Sequence, residues 1–600
     1  MTDLVSRFHE VVRTAPERIA VRDTAGALTF AELEARTAAL AVVLAARGVR
    51  RGDRVGVSVP RGSGLLVSLL AVWRAGAAYV PLDPAYPADR LAHMATDAAV
   101  RTTVTPEDLA GTRDAAGRTT FAPDGLAGTR DAAGRTTFAP DSLAGTRDAA
   151  APTTFAPAVA GAYTDVAVSA DDAAYVIYTS GSTGLPKGVQ ATRGGVASLV
   201  DGLEQMAVYA AEPRVVAWNA SASFDASVQQ WARVCRGDTI VVLEDAHRTE
   251  PAKLTAWLDE CGVSDVDMTP THWEMLREHL LPARSDGRRL RLFIGGEPIS
   301  VPVWRELAAA DTLEAFNLYG PTECTVDATV AVVEGDHPSI GDPLPGNRLL
   351  VLDSSLREVG DGEFGELYIA GPRVSHGYLG RSGLTGARFL PDPSGEPGAR
   401  MYRTGDLVRR TTDGLLEFHG RADRQVKIRG HRVELGEIET VVRSSPAVAA
   451  AAVVVRDDLA GQPVAYYVPS GLAGAESLRE HAAASLPEVM VPAAFVEVAA
   501  LPLTPGGKLD TAALPAPPVV AGIAPEGEFE RFIAGVWAEV LGRDSVSADD
   551  DFFALGGHSL VALRVVSKVK KTFGLKMSAR DVYRHPRLTD LARHVESLRV

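Results

Sequence analysis

Apolar positions come in two alternating patterns as far as about Ser339. Short runs such as Ile19-Ala20-Val21, Arg54 to Val59, Ala173 to Ile177, Val215 to Trp218, Thr239 to Leu243 and Arg291 to Ile294 read as buried strands. Helical spacing fills the intervals. Leu28-Thr29-Phe30-Ala31-Glu32-Leu33 opens one helix, with Thr29 placed to cap it and Glu32 to complete a capping box; it is expected to run to Gly48. Gly64 to Val80, interrupted only by Arg74, reads as a buried helix leading into a strand. This alternation specifies an α/β sheet. After Ser339 short β segments with Gly/Pro turns take over, such as Leu349 to Leu352 and Gly365 to Ile369. A small α+β unit is expected over about 424–512, and Leu514 to Pro525 reads as a semi-extended linker. In the last 75 residues Phe529, Phe532, Ile533, Val536, Trp537 and Val540 keep helical spacing. So do Leu560, Leu563, Val566 and Val569, and then Leu588, Leu591, Val595 and Leu598, which predicts a small helical bundle.

One stretch departs from both patterns. Leu109 to Gly125 recurs as Leu126 to Ser142 and, less faithfully, as Leu143 to Pro157, with a period of 17 residues. Each unit offers only a Leu and a Phe to a core, too little for a solenoid. The repeat is expected to be a tandem duplication lengthening a surface loop, without catalytic function.

Composition narrows the function. With 600 residues, 46% hydrophobic and 23% charged, the chain is an ordinary globular protein of several domains. A formal net charge of −15 with no basic tract argues against nucleic acid. The three cysteines, Cys235, Cys261 and Cys324, are too scattered for a disulfide framework or a metal site, so a reducing cytoplasm is expected. No apolar run reaches the length of a membrane span, and the N-terminus has no signal core.

The candidate chemistry begins at Tyr178-Thr179-Ser180-Gly181-Ser182-Thr183-Gly184-Leu185-Pro186-Lys187-Gly188, directly after an apolar strand. Its glycines let the backbone approach an anion; its hydroxyls, N–H groups and Lys187 suit polyphosphate oxygens. The spacing is not that of the common P-loop.

Further motifs follow in order: Tyr319-Gly320-Pro321-Thr322-Glu323, Tyr402-Arg403-Thr404-Gly405-Asp406-Leu407, Gly420-Arg421-Ala422-Asp423-Arg424-Gln425-Val426-Lys427-Ile428-Arg429-Gly430, and Pro505-Gly506-Gly507-Lys508-Leu509-Asp510. With the carrier signature Asp551-Phe552-Phe553-Ala554-Leu555-Gly556-Gly557-His558-Ser559-Leu560, they make the chain resemble a nonribosomal peptide synthetase adenylation domain fused to a peptidyl carrier domain, within the AMP-dependent ligases. The resemblance implies a large α/β N-terminal adenylate-forming subdomain over 1–422 (repeat loop 109–157), a small mobile α+β C-terminal subdomain over 423–512, a linker over 513–526 and an all-α four-helix carrier over 527–600. It implies ATP, Mg²⁺ and 4′-phosphopantetheine as cofactors. An amino acid carboxylate would attack the α-phosphate of ATP, and the carrier thiol would then take the acyl group from aminoacyl-AMP.

The same resemblance assigns roles. Lys508 would bridge substrate and nucleotide in the first step, and Glu323 would associate with Mg²⁺, with Thr322 beside the same phosphates. Thr179, Ser180, Gly181, Ser182, Thr183, Gly184 and Lys187 would hold phosphate. Asn317, Tyr319, Asp406 and Arg421 would bind the nucleoside, with the Tyr319 ring against adenine and Asp406 on the ribose hydroxyls. Asp423 matches the hinge, and Ser559 the phosphopantetheine attachment site. A hydrolase reading of Ser559 with His558 as base fails, because adjacent residues do not readily give that geometry and no Gly-x-Ser-x-Gly elbow is present. Asp225 matches the position that holds the substrate ammonium. The side-chain pocket aligns with Ala226, Gln229, Asp267, Phe293, Gly295, Leu318, Val326 and Asp327, a set resembling a glutamine-selecting pattern. Glutamine ranks first, glutamate second and a basic residue third, since no Lys or Arg in the set would pair a buried carboxylate.

Implied partners are a phosphopantetheinyl transferase, a downstream tailoring or condensation enzyme and, optionally, an MbtH-like protein. No His-His pair marks a condensation domain, and no thioesterase elbow is visible, so a free-standing loading didomain is expected. Val489 and Gly506 depart from the family's usual aromatic and Asn. Two rival functions stay open: an acyl- or aryl-CoA-type ligase, and a carrier scaffold loaded in trans.

Overall fold

Thr29 Oγ1 accepts a hydrogen bond from the Glu32 amide at 3.2 Å, and the Glu32 carboxylate accepts one from the Thr29 amide at 2.8 Å. The capping box therefore starts the helix Phe30–Ala46 where the sequence placed it. The next helix, Ser63–Arg74, is buried from Leu65 onward, Arg74 included. Its guanidinium offsets the cost of burial by pairing with Glu34 at 3.0 Å and Asp165 at 2.8 Å.

The computed structural model describes residues 3–110, 129–130, 136–137, 163–181, 184–244, 247–248, 251–282, 287–428, 430–456, 459, 461–471, 474–504, 509–517, 523–543, 545–553, 555, 557, 559–575, 577 and 579–599. The tandem repeats fall almost wholly outside them, as do Ser182, Thr183, His558 and Lys508. The chain divides into two units: Met1–Thr179, Pro186–Glu244 and Thr255–His431 form one, and Ser180–Leu185, Asp245–Leu254 and Arg432–Val600 the other.

The first unit holds three large sheets. In one, Val215–Trp218 lies between Asp265–Met268 and Thr239–Val242; Leu290–Gly295 and Leu313–Tyr319 extend the Asp265 side, all parallel, with antiparallel strands added at the edges. In the second, Thr102–Val104, Arg54–Val57, Ala78–Pro81 and Ala173–Thr179 run parallel, and Lys187–Thr192 returns antiparallel. The third is antiparallel and built from Arg348–Leu352, Phe364–Ala370, Arg400–Arg410, Phe389–Pro391 and Leu416–Arg421. In the first sheet Asp267, Gly295, Leu318 and Tyr319 lie at or near the carboxyl ends of parallel strands, where open α/β sheets bind ligands.

The second unit contains the sheet Val448–Arg456, Gln462–Pro469 and Ala494–Glu497 with helices Leu435–Ser444 and Ala475–Ser485. Four helices follow: Gly527–Leu541, Ser559–Phe573, Ala579–Arg584 and Leu588–Ser597. They enclose a core of their own around Ile533, Trp537, Phe552, Val565, Val569 and Leu591. The stripe of the second of these helices differs by one position from the sequence reading, for Val565 is fully buried and Val566 only partly. The longest run of the second unit, Arg432–Val600, takes in both this sheet and the four helices. Leu514, expected in the linker, is buried in the sheet's core, and the Tyr466 hydroxyl donates to Pro515 O at 2.7 Å, tying this stretch down.

Candidate active site

In the first unit, the Ala173–Thr179 strand ends on Thr179, whose Oγ1 is buried without a hydrogen-bond partner. The returning strand sets Lys187 opposite Thr179. Lys187 Nζ is buried 4.0 Å from Glu323 Oε1 and 4.7 Å from the centre of the Tyr378 ring. Glu323 sits fully buried in the single turn Thr322–Cys324, with Thr322 buried beside it in sequence. Its Oε1 accepts from the Tyr378 hydroxyl at 2.6 Å. Lys187, Glu323 and Tyr378 thus form one cluster, and sequence reasoning had no signal for the tyrosine.

A second cluster joins Tyr319, Asp406, Arg421 and Asp423. The Tyr319 hydroxyl donates to Asp406 Oδ2 at 2.5 Å, and burial beside that carboxylate pushes its pKa well up, so it stays a donor. Arg421 donates to Asp406 Oδ1, to Thr404 O at 3.0 Å and to Asp423 at 2.7 and 2.9 Å. Against the cost of burial, this guanidinium holds the Asp423 carboxyl below the usual range. Asp406, expected to serve the ribose, thus has each oxygen engaged by the protein; a carboxylate has about four acceptor positions, which leaves room for a hydroxyl donor. Asn317 is used internally, donating to Ser339 O at 2.7 Å.

The loop Ser180–Leu185 belongs to the second unit, and the polar groups of Ser180 and Gly181 have partners there. Ser180 Oγ donates to Arg432 O at 2.8 Å and accepts from the Glu434 amide at 3.0 Å. The Gly181 amide donates to Glu437 Oε2 at 3.0 Å. Gly184 has φ +88°, and a Cβ there would lie 2.5 Å from Thr440 Cγ2. A carboxylate therefore occupies an amide of the expected phosphate cradle, another contact absent from the sequence reading.

The residues expected to form the side-chain pocket lie in the first unit. Gln229, Asp267 and Phe293 line one cavity together with Tyr209, Gln230 and Arg233. Gln229 Nε2 donates to Asp267 Oδ2 at 2.5 Å, while Gln229 Oε1 and Asp327 Oδ2 are buried without hydrogen-bond partners. Burial pushes the Asp267 carboxyl up to about 7 and, with Asp267 and Asp225 nearby, Asp327 well above its ordinary value. Arg233, which the sequence reading did not include, is neutralised by Asp238 at 2.6 Å and Asp265 at 2.7 Å, and its guanidinium lies 4.2 Å from the Tyr209 ring centre. Asp225 caps the helix Ala226–Trp231, accepting from the Ala226 amide at 3.0 Å. Leu318 and Gly295 pair in register, where a Cβ on Gly295 would fall 2.4 Å from Leu318 O. Val326 adopts φ +72°, a genuine outlier for a β-branched residue, and strain of this kind concentrates at functional sites.

In the carrier region, Ser559 begins the helix Ser559–Phe573. Gly557, two residues before it, is buried, and its carbonyl accepts from Gln462 Nε2 at 3.1 Å. Arg479, on the Ala475–Ser485 helix, lies 3.5 Å from Asp551 and 5.9 Å from the Phe553 ring centre, so two contacts hold the signature segment against that helix.

Among the described residues no group of three or more His, Cys, Asp or Glu forms a metal cage. One buried hard-oxygen donor, Glu323, suits Mg²⁺, which takes one or two carboxylates and completes its shell with phosphate oxygens and water. The partnerless Thr179 hydroxyl suits a phosphate oxygen. No helix among the described residues is long and apolar enough to cross a membrane.

Comparison with known proteins identifies the family. Residues 8–379 match the AMP-binding enzyme family, 437–508 the AMP-binding enzyme C-terminal domain, and 531–595 the phosphopantetheine attachment site. The chain is 36% identical over 604 residues to a dimodular nonribosomal peptide synthase of Bacillus subtilis (strain 168), matching 99% of this chain and 24% of that protein. It is 41% identical over 603 residues to the probable non-canonical nonribosomal peptide synthetase CymA of Salinispora arenicola (strain CNS-205), matching 98% of this chain and 7% of that one. It therefore spans less than a quarter of either relative. A solved holo nonribosomal peptide synthetase protein containing adenylation and carrier domains superposes with a TM-score of 0.78 at 28% identity, covering 99% of this chain and 97% of the other. An AMP-binding domain takes ATP, usually with Mg²⁺, and a phosphopantetheine attachment domain carries 4′-phosphopantetheine, which requires a phosphopantetheinyl transferase. The chain belongs to the AMP-binding enzymes, as an adenylation domain of the nonribosomal peptide synthetase kind joined to a carrier domain.

Proposed function

We propose that this chain activates L-glutamine with ATP and loads it as a thioester on phosphopantetheine at Ser559, for nonribosomal peptide or modified amino acid biosynthesis. In the first step a glutamine carboxylate oxygen bonds to the α-phosphorus, and the bond to the pyrophosphate bridging oxygen breaks. In the second the carrier sulfur bonds to the acyl carbon, AMP leaves with the ester oxygen, and the thiol proton passes to solvent. Lys187, Thr179 and the Ser180–Gly184 loop hold the polyphosphate, with Ser182 and Thr183 in the same role. Glu323 and Thr322 hold the metal side of the nucleotide. Tyr319 and Asp406, positioned by Arg421, take the nucleoside, and Asp225 takes the ammonium. Lys508 bridges substrate and nucleotide, and movement about Asp423 withdraws it before transfer. A downstream tailoring or condensation enzyme then consumes the thioester.

Two partnerless buried atoms, Gln229 Oε1 on the cavity and Asp327 Oδ2 elsewhere in the expected set, carry the choice of glutamine. Gln229 Oε1 needs a donor, and a carboxyl kept neutral at Asp327 can itself donate. A primary amide supplies two N–H donors and one acceptor, which answers both needs without burying charge. Glutamate would bring a third carboxyl to Asp267 and Asp327, and the Arg233 charge is already neutralised. Pyrophosphate exchange into ATP, measured across a panel of amino acids, tests this reading. Glutamine is expected to dominate; exchange driven by fatty or aromatic acids instead would return the site to the CoA-ligase reading.

A further inference from the structure

We propose that Tyr378 is a positioning residue that holds Lys187 and Glu323 apart, so that ATP with its metal meets a charge pair already open. This rests on the reading of Lys187 and Glu323 as phosphate and metal ligands.

Two opposite charges buried side by side ordinarily close to a direct contact of about 2.7–2.9 Å between nitrogen and oxygen. Lys187 and Glu323 stand at 4.0 Å, with side-chain exposures of 6% and 0%. Tyr378 engages both: its ring centre is 4.7 Å from Lys187 Nζ, and its hydroxyl donates to Glu323 Oε1 at 2.6 Å. The ammonium is met by a ring face, the carboxylate by an O–H. Incoming phosphate and a divalent cation therefore need not break a short direct contact between Lys187 and Glu323.

The backbone fixes this arrangement. Residues 376–379 run against the Lys187–Thr192 strand. The His376 amide donates to Gln190 O at 2.9 Å, the Gln190 amide to Gly377 O at 3.1 Å and the Leu379 amide to Gly188 O at 2.9 Å. Val189 and Tyr378 form an antiparallel bridge, which makes Lys187 the diagonal same-face neighbour of Tyr378. The same segment reaches the other charge, since the Ser375 amide donates to Glu323 O at 2.9 Å. Gly377, at φ +121°, leaves no room for a Cβ, which would lie 2.4 Å from Thr385 Cγ2. The Tyr378 ring is wedged edge-on against Phe389 at 5.5 Å. One short segment thus registers both charged residues and carries the spacer between them.

The test is Mn²⁺ binding to the full chain with a non-hydrolysable ATP analogue, read by electron paramagnetic resonance, alongside the Mg²⁺ dependence of pyrophosphate exchange. Tyr378→Phe keeps the ring and loses the hydroxyl. It is expected to weaken Mn²⁺ binding about tenfold and to raise the Mg²⁺ needed for half-maximal exchange, while kcat at saturating Mg²⁺ stays near wild type and Tm shifts by only a few degrees. Glu323→Gln should abolish Mn²⁺ binding. If it does not, the reading of Glu323 as metal ligand fails. If Glu323→Gln abolishes binding and Tyr378→Phe binds Mn²⁺ like wild type, the spacer role is overturned. Tyr402→Phe removes the neighbouring hydroxyl, 3.4 Å from that of Tyr378. An equal Mn²⁺ loss in that variant would also overturn the role, by showing a general disturbance of the buried cluster.

Discussion

Asp267 shows how one side chain can set a preference. Burial pushes its carboxyl up to about 7, while the Gln229 amide donates to it. Because the shift is upward, the neutral acid dominates below about 7 and the carboxylate above it. A neutral acid suits an amide; a carboxylate suits a cation. The ratio of lysine-dependent to glutamine-dependent exchange is therefore expected to rise as pH passes upward through about 7, by up to roughly tenfold across two pH units. A ratio independent of pH, or one falling with pH, would remove Asp267 from selectivity. Residues of this kind were legible where they stand in compact motifs, as Lys187 does in its glycine loop and Glu323 two residues after Pro321. Tyr378 and Arg233 were not, because their meaning lies in partners far along the chain: Lys187 and Glu323 for one, Asp265 and Tyr209 for the other.

Among the elements, the phosphate loop carries the largest difference between expectation and structure. Its composition announced anion binding, and its Gly181 amide does meet an anion, the Glu437 carboxylate. Glu437 stands in the first turn of the Leu435–Ser444 helix, a contact that no local pattern encodes. A carboxylate on that amide competes with phosphate for it, and charge-assisted hydrogen bonds are about twice as strong as neutral ones. Glu437→Gln is accordingly expected to lower the KM for ATP in exchange by about threefold to tenfold. A raised KM would show that Glu437 supports the loop in its ATP-binding form. Other elements were readable from the chain alone. The Thr29–Glu32 capping box forms as expected, because both its hydrogen bonds are local. The Ser63–Arg74 helix was recognisable from its apolar run, but the Asp165 that neutralises Arg74 lies far along the chain and was not.

For the whole molecule, the order of motifs revealed an adenylation region followed by a carrier, and matches over residues 8–379, 437–508 and 531–595 agree. The position of the division was less legible. The resemblance implies a hinge at Asp423, and the chain passes from one unit to the other at Arg432, because long-range packing rather than any local Gly or Pro decides which body a segment joins. Similarly, Leu514 sits in a Pro-rich stretch but packs on Tyr466 and Val496. The carrier's signature segment is held by Gln462 and Arg479, contacts that place the start of the Ser559–Phe573 helix within the same unit as the sheet. The central claim, activation of glutamine and its transfer to this chain's own carrier, is tested most directly by intact mass. The phosphopantetheinylated chain, given ATP, Mg²⁺ and glutamine with no other enzyme, is expected to gain one glutaminyl mass that hydroxylamine removes and that Ser559→Ala prevents. A holo chain that stays unloaded until a separate ligase is added would contradict it and leave a carrier served in trans.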